Sequence, residues 1–273
     1  MNKSFLDRIV ARKKAAVALA RRRVPESALL QIKRERPMRS LKAALAVRKG
    51  EKIRIIAEIK RASPSKGVFA ANLNAGTVAG AYETAGAAAL SVLTDKAFFN
   101  GDLKDLSAAA AAVRIPVLRK DFIVSTYQII EAAGYGADAV LLIARILERR
   151  QIEAFLAVCR EMHLEALVEV HSHDDLEKTA GSAAELIGIN NRDLKTFTTD
   201  LQTAIRLAPC LEAHQLPIVA SGIRRRADID GYLAAGLNAF LIGEALMRNT
   251  DPGAGLRCLL RPDAPTGLQG GRT

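Results

Sequence analysis

The stretch from Ile55 to Gly67 reads IIAEIKRASPSKG and joins an apolar run to a Ser/Pro/Gly loop. The apolar run is typical of a buried β-strand, and the loop residues mark its C-terminal end. Because side chains alternate along a strand, Glu58 and Lys60 share one face while Ala57 and Ile59 share the other. An ion pair that closes the end of a sheet is the simplest interpretation. Further charged residues at later strand ends favour a functional one.

Seven more apolar segments follow the first one along the chain. We predict strands near residues 53–59, 88–94, 116–120, 137–143, 165–170, 185–190, 217–221 and 238–243. The segments between them are rich in Ala, Leu, Glu and Arg and are long enough for helices, as at 70–86, 102–113, 147–162 and 200–213. Strands that alternate with helices predict a parallel sheet, and eight of them can close into a barrel. We therefore expect an α/β fold with a single (β/α)8 TIM barrel.

The composition excludes several classes of protein. With 273 residues and 49% apolar side chains the chain can bury a large core, and barrels of about 250 residues form one domain. Cys159, Cys210 and Cys258 are far apart, so neither a disulfide framework nor a zinc site is indicated, and we expect no metal. No apolar run reaches 18 residues, and no signal-peptide core is evident. We expect a soluble, unexported, cytoplasmic protein without a membrane partner.

The positive charge is concentrated near the N-terminus. Residues 1–52 hold 16 Lys and Arg against 4 Asp and Glu, a local charge of +12, and the remaining 24 against 25 leave −1. Phe5 is the one aromatic residue in this segment, which therefore lacks the stacking side chains expected of single-strand binding. We interpret it as a solvated basic helix face with no nucleic-acid partner. A nucleic-acid or membrane-surface patch, or steering of an anionic substrate, are the alternatives.

These patterns divide the chain into three parts. We expect an N-terminal helical extension over residues 1–48, the barrel over residues 49–260, and a disordered tail over residues 261–273, which holds two prolines and three glycines. No exposed apolar helix is evident, so we expect a monomer.

Polar side chains end several of the predicted strands, where barrel enzymes place their working residues. The third strand ends at Lys120, and the sixth ends at Asn190 with Arg192 close behind. Glu169 is a lone carboxylate within the apolar fifth strand, where an ionisable group is costly to bury unless it is paired or functional. We expect these side chains to meet the charged pair of the first strand. That Asn190 and Arg192 merely close their strand is the alternative.

Glycines follow the last two strands, Gly222 after the seventh and Gly243 after the eighth. Barrels commonly bind phosphate in these loops through backbone N–H groups, and a glycine lets an anion approach closely. Either glycine alone would also fit an ordinary turn, but the two together predict a phosphate site. His171 and His173 have the spacing of a metal-binding pair. No third ligand is evident, so we interpret them as surface loop histidines.

Five motifs carry a family resemblance. They are EIKRASPSKG at 58–67, SVLTD at 91–95 with FFNG at 98–101, LRKDFIV at 118–124, GINNRDL at 188–194 and LIGEALM at 241–247. Together, and in this order, they resemble the indole-3-glycerol phosphate synthase family over roughly residues 4–260. A glycine after the eighth strand recurs in many phosphate-binding barrels, but the joint pattern of the first and third motifs does not.

The resemblance implies a reaction that uses neither a metal nor an organic cofactor. The family converts 1-(2-carboxyphenylamino)-1-deoxyribulose 5-phosphate to indole-3-glycerol phosphate in tryptophan biosynthesis, releasing carbon dioxide and water. The expected partner is therefore a small anionic sugar phosphate. The expected enzyme class is a carboxy-lyase.

The resemblance also implies roles for five catalytic residues. Lys120 corresponds to the general acid that protonates the ribulose carbonyl oxygen. Glu169 corresponds to the carboxylate that stabilises the cationic intermediate or takes its proton. Lys60 would lie near the substrate carboxylate and act as an acid in dehydration, while Glu58 would orient the lysines or serve as base. Asn190 would hydrogen-bond sugar hydroxyls or the carboxylate.

Further residues are implied in substrate binding. The implied substrate-binding residues are Ser63, Pro64, Phe99, Phe122, Arg192 and Ser221, and the implied phosphate-binding residues are Gly222, Gly243 and Glu244. The family's N-terminal extension packs over the barrel mouth, which gives the basic segment a place. Acid–base catalysis works best with pKa values near neutrality, so we expect neighbouring cations to lower the pKa of a catalytic lysine.

One position departs from the family pattern. The family usually carries Glu before the Ser-Gly of strand seven, where this chain has Ala220. An active enzyme with a retuned lysine network is our main reading, and a non-catalytic or weakly active sugar-phosphate-binding paralogue is the alternative. A different barrel enzyme such as phosphoribosylanthranilate isomerase would lack the set of Lys60, Lys120 and Glu169. A basic RNA-binding protein built on a barrel is a further alternative.

Overall fold

The computed structural model describes residues 5–32, 34, 36–47, 53–64, 67–70, 72–194 and 196–261. The predicted tail, apart from Arg261, lies outside these residues, as does part of the loop that follows the first strand.

Eight parallel strands close into a barrel, which confirms the predicted fold class. The strands are β1 (Arg54–Ile59), β2 (Ala89–Leu93), β3 (Val117–Lys120), β4 (Ala139–Ile143), β5 (Glu165–Val170), β6 (Leu186–Asn190), β7 (Leu216–Ala220) and β8 (Ala239–Ile242). Each strand pairs with the next one along the chain, and β1 also pairs with β8. A short hairpin, Ala62–Ser63 against Gly67–Val68, follows β1.

Helices occupy the connections between the strands. The α-helices of the described residues are α1 (Phe5–Arg23), α2 (Glu26–Leu29), α3 (Leu41–Leu45), α4 (Ala75–Thr84), α5 (Lys96–Phe99), α6 (Leu103–Ala112), α7 (Thr126–Gly134), α8 (Arg149–Glu161), α9 (His173–Glu177), α10 (Gln202–Leu207), α11 (Arg226–Ala234), α12 (Glu244–Met247) and α13 (Pro252–Leu260). Short 3₁₀ turns lie at Ala144–Ile146 and Ala208–Cys210. Within these ranges, no helix combines the length and the apolar character that a membrane crossing requires.

Side-chain alternation builds two separate cores. On β1, Ala57 and Ile59 point outward into the core between the strands and the surrounding helices. Ile56 points inward, where it joins Leu118, Leu167 and other interior residues. The inward face of β1 continues to Glu58 at the C-terminal end of the barrel, which we call the mouth. The alternation predicted for the first strand is therefore confirmed.

The N-terminal segment contacts both ends of the barrel. Leu6 and Ile9 of α1 are buried and line the cavity at the mouth. At the opposite end, Leu41 and Leu45 of α3 are buried and belong to the interior cluster. The carboxylate of Glu165, the first residue of β5, accepts hydrogen bonds from the hydroxyl that precedes α3 and from a backbone N–H of α3. This segment therefore runs along the barrel from its mouth to its base.

A buried carboxylate, Asp138, holds the middle of this segment. Asp138 precedes β4, and its side chain is 0% exposed. It accepts hydrogen bonds from the guanidinium groups of Arg34 and Arg36 and from the backbone N–H groups of Arg39 and Val117. Arg34 and Arg36, which the sequence predicts to lie on a solvated basic face, therefore anchor the segment to the barrel through Asp138 instead. Other basic side chains, those of Arg8, Arg12 and Lys14 among them, are exposed as expected.

We expect Asp138→Asn to lower the free energy of unfolding by about 3 kcal/mol, because two guanidinium groups would lose their buried counter-charge. Urea denaturation followed by circular dichroism measures this difference. Asp230→Asn is the matched control, since Asp230 pairs with Arg226 at the surface and is 49% exposed, and we expect it to cost less than about 1 kcal/mol. Equal losses in the two variants would contradict an anchoring role for Asp138.

Candidate active site

A cavity of about 580 Å³ opens at the mouth of the barrel. Its lining includes all fourteen residues that the sequence singles out: Glu58, Lys60, Ser63, Pro64, Phe99, Lys120, Phe122, Glu169, Asn190, Arg192, Ser221, Gly222, Gly243 and Glu244. They come from the strand ends and the loops behind them. The cavity is in the size range of small-molecule sites.

Lys120 and Glu169 form an ion pair across the cavity. Lys120 Nζ lies 3.2 Å from Glu169 Oε2, and both side chains are largely buried. Burial lowers the pKa of Lys120, but the carboxylates of Glu169 and Glu58 raise it by more, so that the pKa lies above its ordinary value. Burial likewise raises the pKa of Glu169, and Lys120 reverses this, so that its pKa lies below its ordinary value. The expected lowering of the lysine pKa is therefore wrong for Lys120, because carboxylates rather than cations surround it.

Glu58 and Lys60 form a second pair, as their common strand face predicts. Lys60 Nζ lies 2.7 Å from Glu58 Oε1, and both side chains are mostly buried. The ammonium group also lies 5.5 Å from the ring centroid of Phe69. Two lysine–carboxylate pairs therefore share one cavity, and this gives the site two possible acids and two possible bases.

Asn190 and Arg192 extend the polar network. The side chain of Asn190 lowers the pKa of Glu169, and its oxygen accepts a hydrogen bond from the backbone N–H of Arg192 at 3.0 Å. The guanidinium of Arg192 lies 3.3 Å from Glu244, whose other oxygen is 3.0 Å from Arg248. Burial raises the pKa of Glu244, but the hydrogen bonds from the two arginines lower it by more. The pKa of Glu244 therefore lies below its ordinary value.

The glycine at the end of β8 makes room for the carboxylate of Glu58. A Cβ atom on Gly243 would lie 2.2 Å from Glu58 Oε1, closer than real Cβ atoms come. After β7, Ser221 and Gly222 have φ values of +66° and +88°, a region that favours glycine. A Cβ on Gly222 would lie 2.5 Å from the side chain of Leu201. Both glycines therefore have packing reasons besides any approach of phosphate.

Aromatic side chains form one wall of the cavity. The rings of Phe99 and Phe122 lie 6.2 Å apart. Phe5 of α1 packs edge-on against Phe98 at 5.7 Å and against Phe197 at 5.2 Å. Phe197 lies outside the five motifs, in the loop after β6. No local sequence pattern predicted that this loop would bring Phe197 to the wall. The arrangement suits a flat aromatic ligand.

Lys13 of α1 reaches into the barrel mouth. Its ammonium lies 2.5 Å from Asp95 and 2.6 Å from Asp121, and its side chain is 11% exposed. Burial raises the pKa of Asp121, but Arg119 and Lys13 lower it by more, to below its ordinary value. The sequence shows Lys13 as one cation in a basic run, and nothing local distinguishes it from Lys14.

His171 is buried, so its interpretation as a surface loop histidine is wrong. Its side chain is 1% exposed and lies beside Glu169 and Asp175. His173 is exposed, and its ring nitrogen lies 3.4 Å from the sulfur of Cys210. The turn after β5 folds the first histidine inward because the carboxylate of Asp175 accepts a hydrogen bond from its backbone N–H. Among the described residues, no three His, Cys, Asp or Glu side chains cluster in a way that would hold a metal.

A family model for indole-3-glycerol phosphate synthase matches residues 6–259. The chain belongs to this family. It is 48% identical over 258 residues to an indole-3-glycerol phosphate synthase from Desulfosudis oleivorans, covering 94% of this chain and 98% of the relative. It is also 49% identical over 252 residues to an indole-3-glycerol phosphate synthase from Syntrophobacter fumaroxidans, covering 92% of this chain and 95% of that relative. The resemblance inferred from the five motifs is confirmed.

Solved structures support the fold independently. The crystal structure of 3-hexulose-6-phosphate synthase from Salmonella typhimurium matches with a TM-score of 0.60 at 12% identity, over 76% of this chain and 96% of that one. The crystal structure of KGPDC from Streptococcus mutans matches with a TM-score of 0.57 at 10% identity, over 77% and 96%. At such identities the likeness shows the barrel fold alone.

We expect Gly243→Ala to lower kcat/KM by about 10²-fold, because the new Cβ must displace Glu58 from Lys60. The free energy of unfolding should fall by about 1–3 kcal/mol from overpacking. Gly231→Ala is the control, since its added Cβ in α11 would meet no described atom within 4 Å apart from its chain neighbours and the backbone of its own helix. It should gain about 0.4–1 kcal/mol and keep full activity. Steady-state kinetics and urea denaturation measure both, and unchanged kinetics in Gly243→Ala would contradict the steric argument.

Proposed function

We propose that this chain is an indole-3-glycerol phosphate synthase, a carboxy-lyase of tryptophan biosynthesis. It closes the indole ring of 1-(2-carboxyphenylamino)-1-deoxyribulose 5-phosphate and releases carbon dioxide and water. The observation that carries the proposal is the buried pair of Lys120 and Glu169 in a cavity lined by all the predicted site residues of the family to which the chain belongs. The comparisons give no support to the alternative of a non-catalytic paralogue.

Lys120 is the general acid in this proposal. Its raised pKa keeps it protonated at neutral pH, so that it can donate a proton to the ribulose carbonyl oxygen. The carbonyl carbon then becomes electrophilic enough for attack by the aromatic ring. A substrate that replaces Glu169 as the hydrogen-bond partner of Nζ removes part of the stabilisation of the ammonium and so lowers its pKa towards that of a useful acid.

Glu169 stabilises the positive charge that the ring acquires on attack. Its lowered pKa keeps it ionised at neutral pH, and its largely buried position strengthens its field. Loss of carbon dioxide then restores the aromatic ring. The final loss of water needs an acid for the leaving hydroxyl and a base for the ring proton. In the proposal, Lys60 and Glu58, which lie 2.7 Å apart, supply this acid and this base, and Asn190 orients Glu169.

The remaining predicted site residues bind the substrate in this proposal. Ser63 and Arg192 contact anionic groups, and the hydroxyl of Ser63 is buried with no partner among the described residues, which leaves it available. Pro64, Phe99 and Phe122 contact the aromatic ring. The phosphate is held by backbone N–H groups of Ser221, Gly222, Gly243 and Glu244. The carboxylate of Glu244 does not take part, because Arg192 and Arg248 already neutralise it.

The N-terminal extension covers the site in this proposal. Phe5, Leu6 and Ile9 line the cavity on one side of α1. Lys13, one helical turn further on, pairs with Asp95 after β2 and with a carboxylate after β3. Closing the mouth with apolar residues excludes water and strengthens the electrostatic interactions inside. The ion pairs hold the cover in register with the strand ends.

The setting of the enzyme is also a proposal. A biosynthetic enzyme with free cysteines and a small anionic substrate suits the cytoplasm, where it acts as a monomer without a nucleic-acid or membrane partner. The exposed arginines of α1 then serve to attract the substrate, an effect that salt should screen.

The test is turnover of the carboxyphenylamino deoxyribulose phosphate, followed by the rise of indole fluorescence. Wild type should be active, and Lys120→Ala should lower kcat by about 10²–10⁴-fold, because the proton donor is lost. Lys104→Ala is the matched control, an exposed lysine outside the cavity that should leave kcat unchanged. A folded wild type that binds the product tightly without turnover would overturn the proposal in favour of the paralogue.

Ala220→Glu should change the pH–rate profile more than KM. Ala220 is buried, lines the cavity and pairs in register with Asn190. A carboxylate there favours the charged form of the nearby lysines, which raises their pKa values, so the basic limb of the profile should move to higher pH. The exposed Ala234 supplies the control variant Ala234→Glu. An unaltered basic limb in Ala220→Glu would count against a retuned lysine network.

A further inference from the structure

His171 is a buried titratable group that the proposed mechanism does not use. It follows β5, two residues after Glu169, and its side chain is 1% exposed. Nε2 lies 3.4 Å from Glu169 Oε1, and Nδ1 lies 3.7 Å from Asp175 Oδ2. Among the described residues, neither ring nitrogen completes a hydrogen bond. Buried polar atoms nearly always have partners, so this imidazole calls for an explanation.

The two carboxylates that face the imidazole, those of Asp175 and Glu169, differ in how far other groups already neutralise them. Asp175 is held by Arg145, with contacts of 2.8 and 2.9 Å, and by the backbone N–H of His171 at 3.0 Å. Its charge is thus neutralised without the imidazole. Glu169 directs Oε2 to Lys120 and presents Oε1 to Nε2, while the side chain of Asn190 also acts on the carboxylate. A neutral imidazole carries one N–H, and Glu169 is the acceptor that gains most from it.

We propose that His171 is a positioning residue for Glu169, whose Nε2–H donates to Oε1 and so keeps Oε2 directed at Lys120 and the substrate. A small rotation of the ring shortens the 3.4 Å contact to a hydrogen bond, as is common when substrate enters an open site. The inference rests on the proposed function, since it assigns a role within that reaction.

The charges around the imidazole of His171 link its pKa to the protonation state of Lys120. Burial lowers the pKa of His171, as do Arg145 and Lys120, whereas Glu169 and Asp175 raise it; the net direction is below its ordinary value. The ring is therefore neutral at pH 7 in the free protein. When Lys120 gives its proton to the substrate, one of the two opposing cations is lost. The pKa of His171 then rises, and the hydrogen bond to Glu169 strengthens as the lysine charge disappears.

Kinetics of three variants test the role. His171→Phe should lower kcat by roughly tenfold with little change in KM, because Glu169 loses its orientation. Its acid limb in kcat/KM should move up by about one pH unit, because a group that lowers the pKa of Glu169 is gone. His171→Gln places an amide N–H where Nε2 was and should restore most of kcat. His173→Gln, two residues on and exposed, should match wild type.

The outcomes separate positioning from mere packing. An unchanged acid limb in His171→Phe, or a His171→Gln variant as impaired as His171→Phe, would overturn the inference. Thermal unfolding of each variant shows whether it folds.

Nitrogen-15 NMR of histidine-labelled full-length protein measures the tautomer and the pKa of His171 without any need for turnover. Wild type should show the neutral Nε2–H tautomer for His171, and Lys120→Met should raise its pKa, since Lys120 lowers it. An Nδ1–H tautomer, or a pKa indifferent to Lys120→Met, would overturn the inference. A wild type with the predicted tautomer but without turnover would instead refute the proposed function.

Discussion

The closure of eight parallel strands into a barrel is the constraint on which the rest of this structure depends. Closure turns the two-residue alternation of every strand into a choice between inside and outside. Inside, apolar residues fill the barrel up to the level of Leu118 and Leu167, and the next inward position on those strands is Lys120 or Glu169. The charges therefore lie where the packed interior ends. Side-chain alternation in a closed barrel therefore forms the packed interior and also positions the charged residues above it.

Buried charges in this protein survive by being paired. The pairs at the mouth, Lys120 with Glu169 and Lys60 with Glu58, offset the cost of removing each charge from water. The same rule operates away from the site, where Asp138 collects two arginines at the base of β4. The pairs at the mouth differ because a ligand can replace one partner. In the proposed reaction, a lysine that exchanges a carboxylate for a substrate oxygen becomes a better acid.

The basic N-terminal segment illustrates how net charge can mislead. Its excess of lysine and arginine suggests a surface patch, yet part of that excess is consumed by carboxylates of the barrel. Lys13 joins the strand ends after β2 and β3, and α3 fills the base. The segment is therefore built into the barrel at both ends. Several of its arginines are exposed and shape the field around the mouth.

Local sequence patterns were enough to predict the eight strands, their alternation and the polar strand-end residues that meet at the mouth, whereas the aromatic and loop residues of the site came from the family resemblance. Those features follow from local chemistry, because a strand end carries its side chains to a place that the fold class alone defines. Tertiary structure decided what depends on distant neighbours. The direction of the Lys120 pKa shift, the burial of His171 and the selection of Lys13 over Lys14 all depend on charges brought from other strands and helices. Electrostatic energy depends on distance in space, and sequence spacing does not encode that distance between elements.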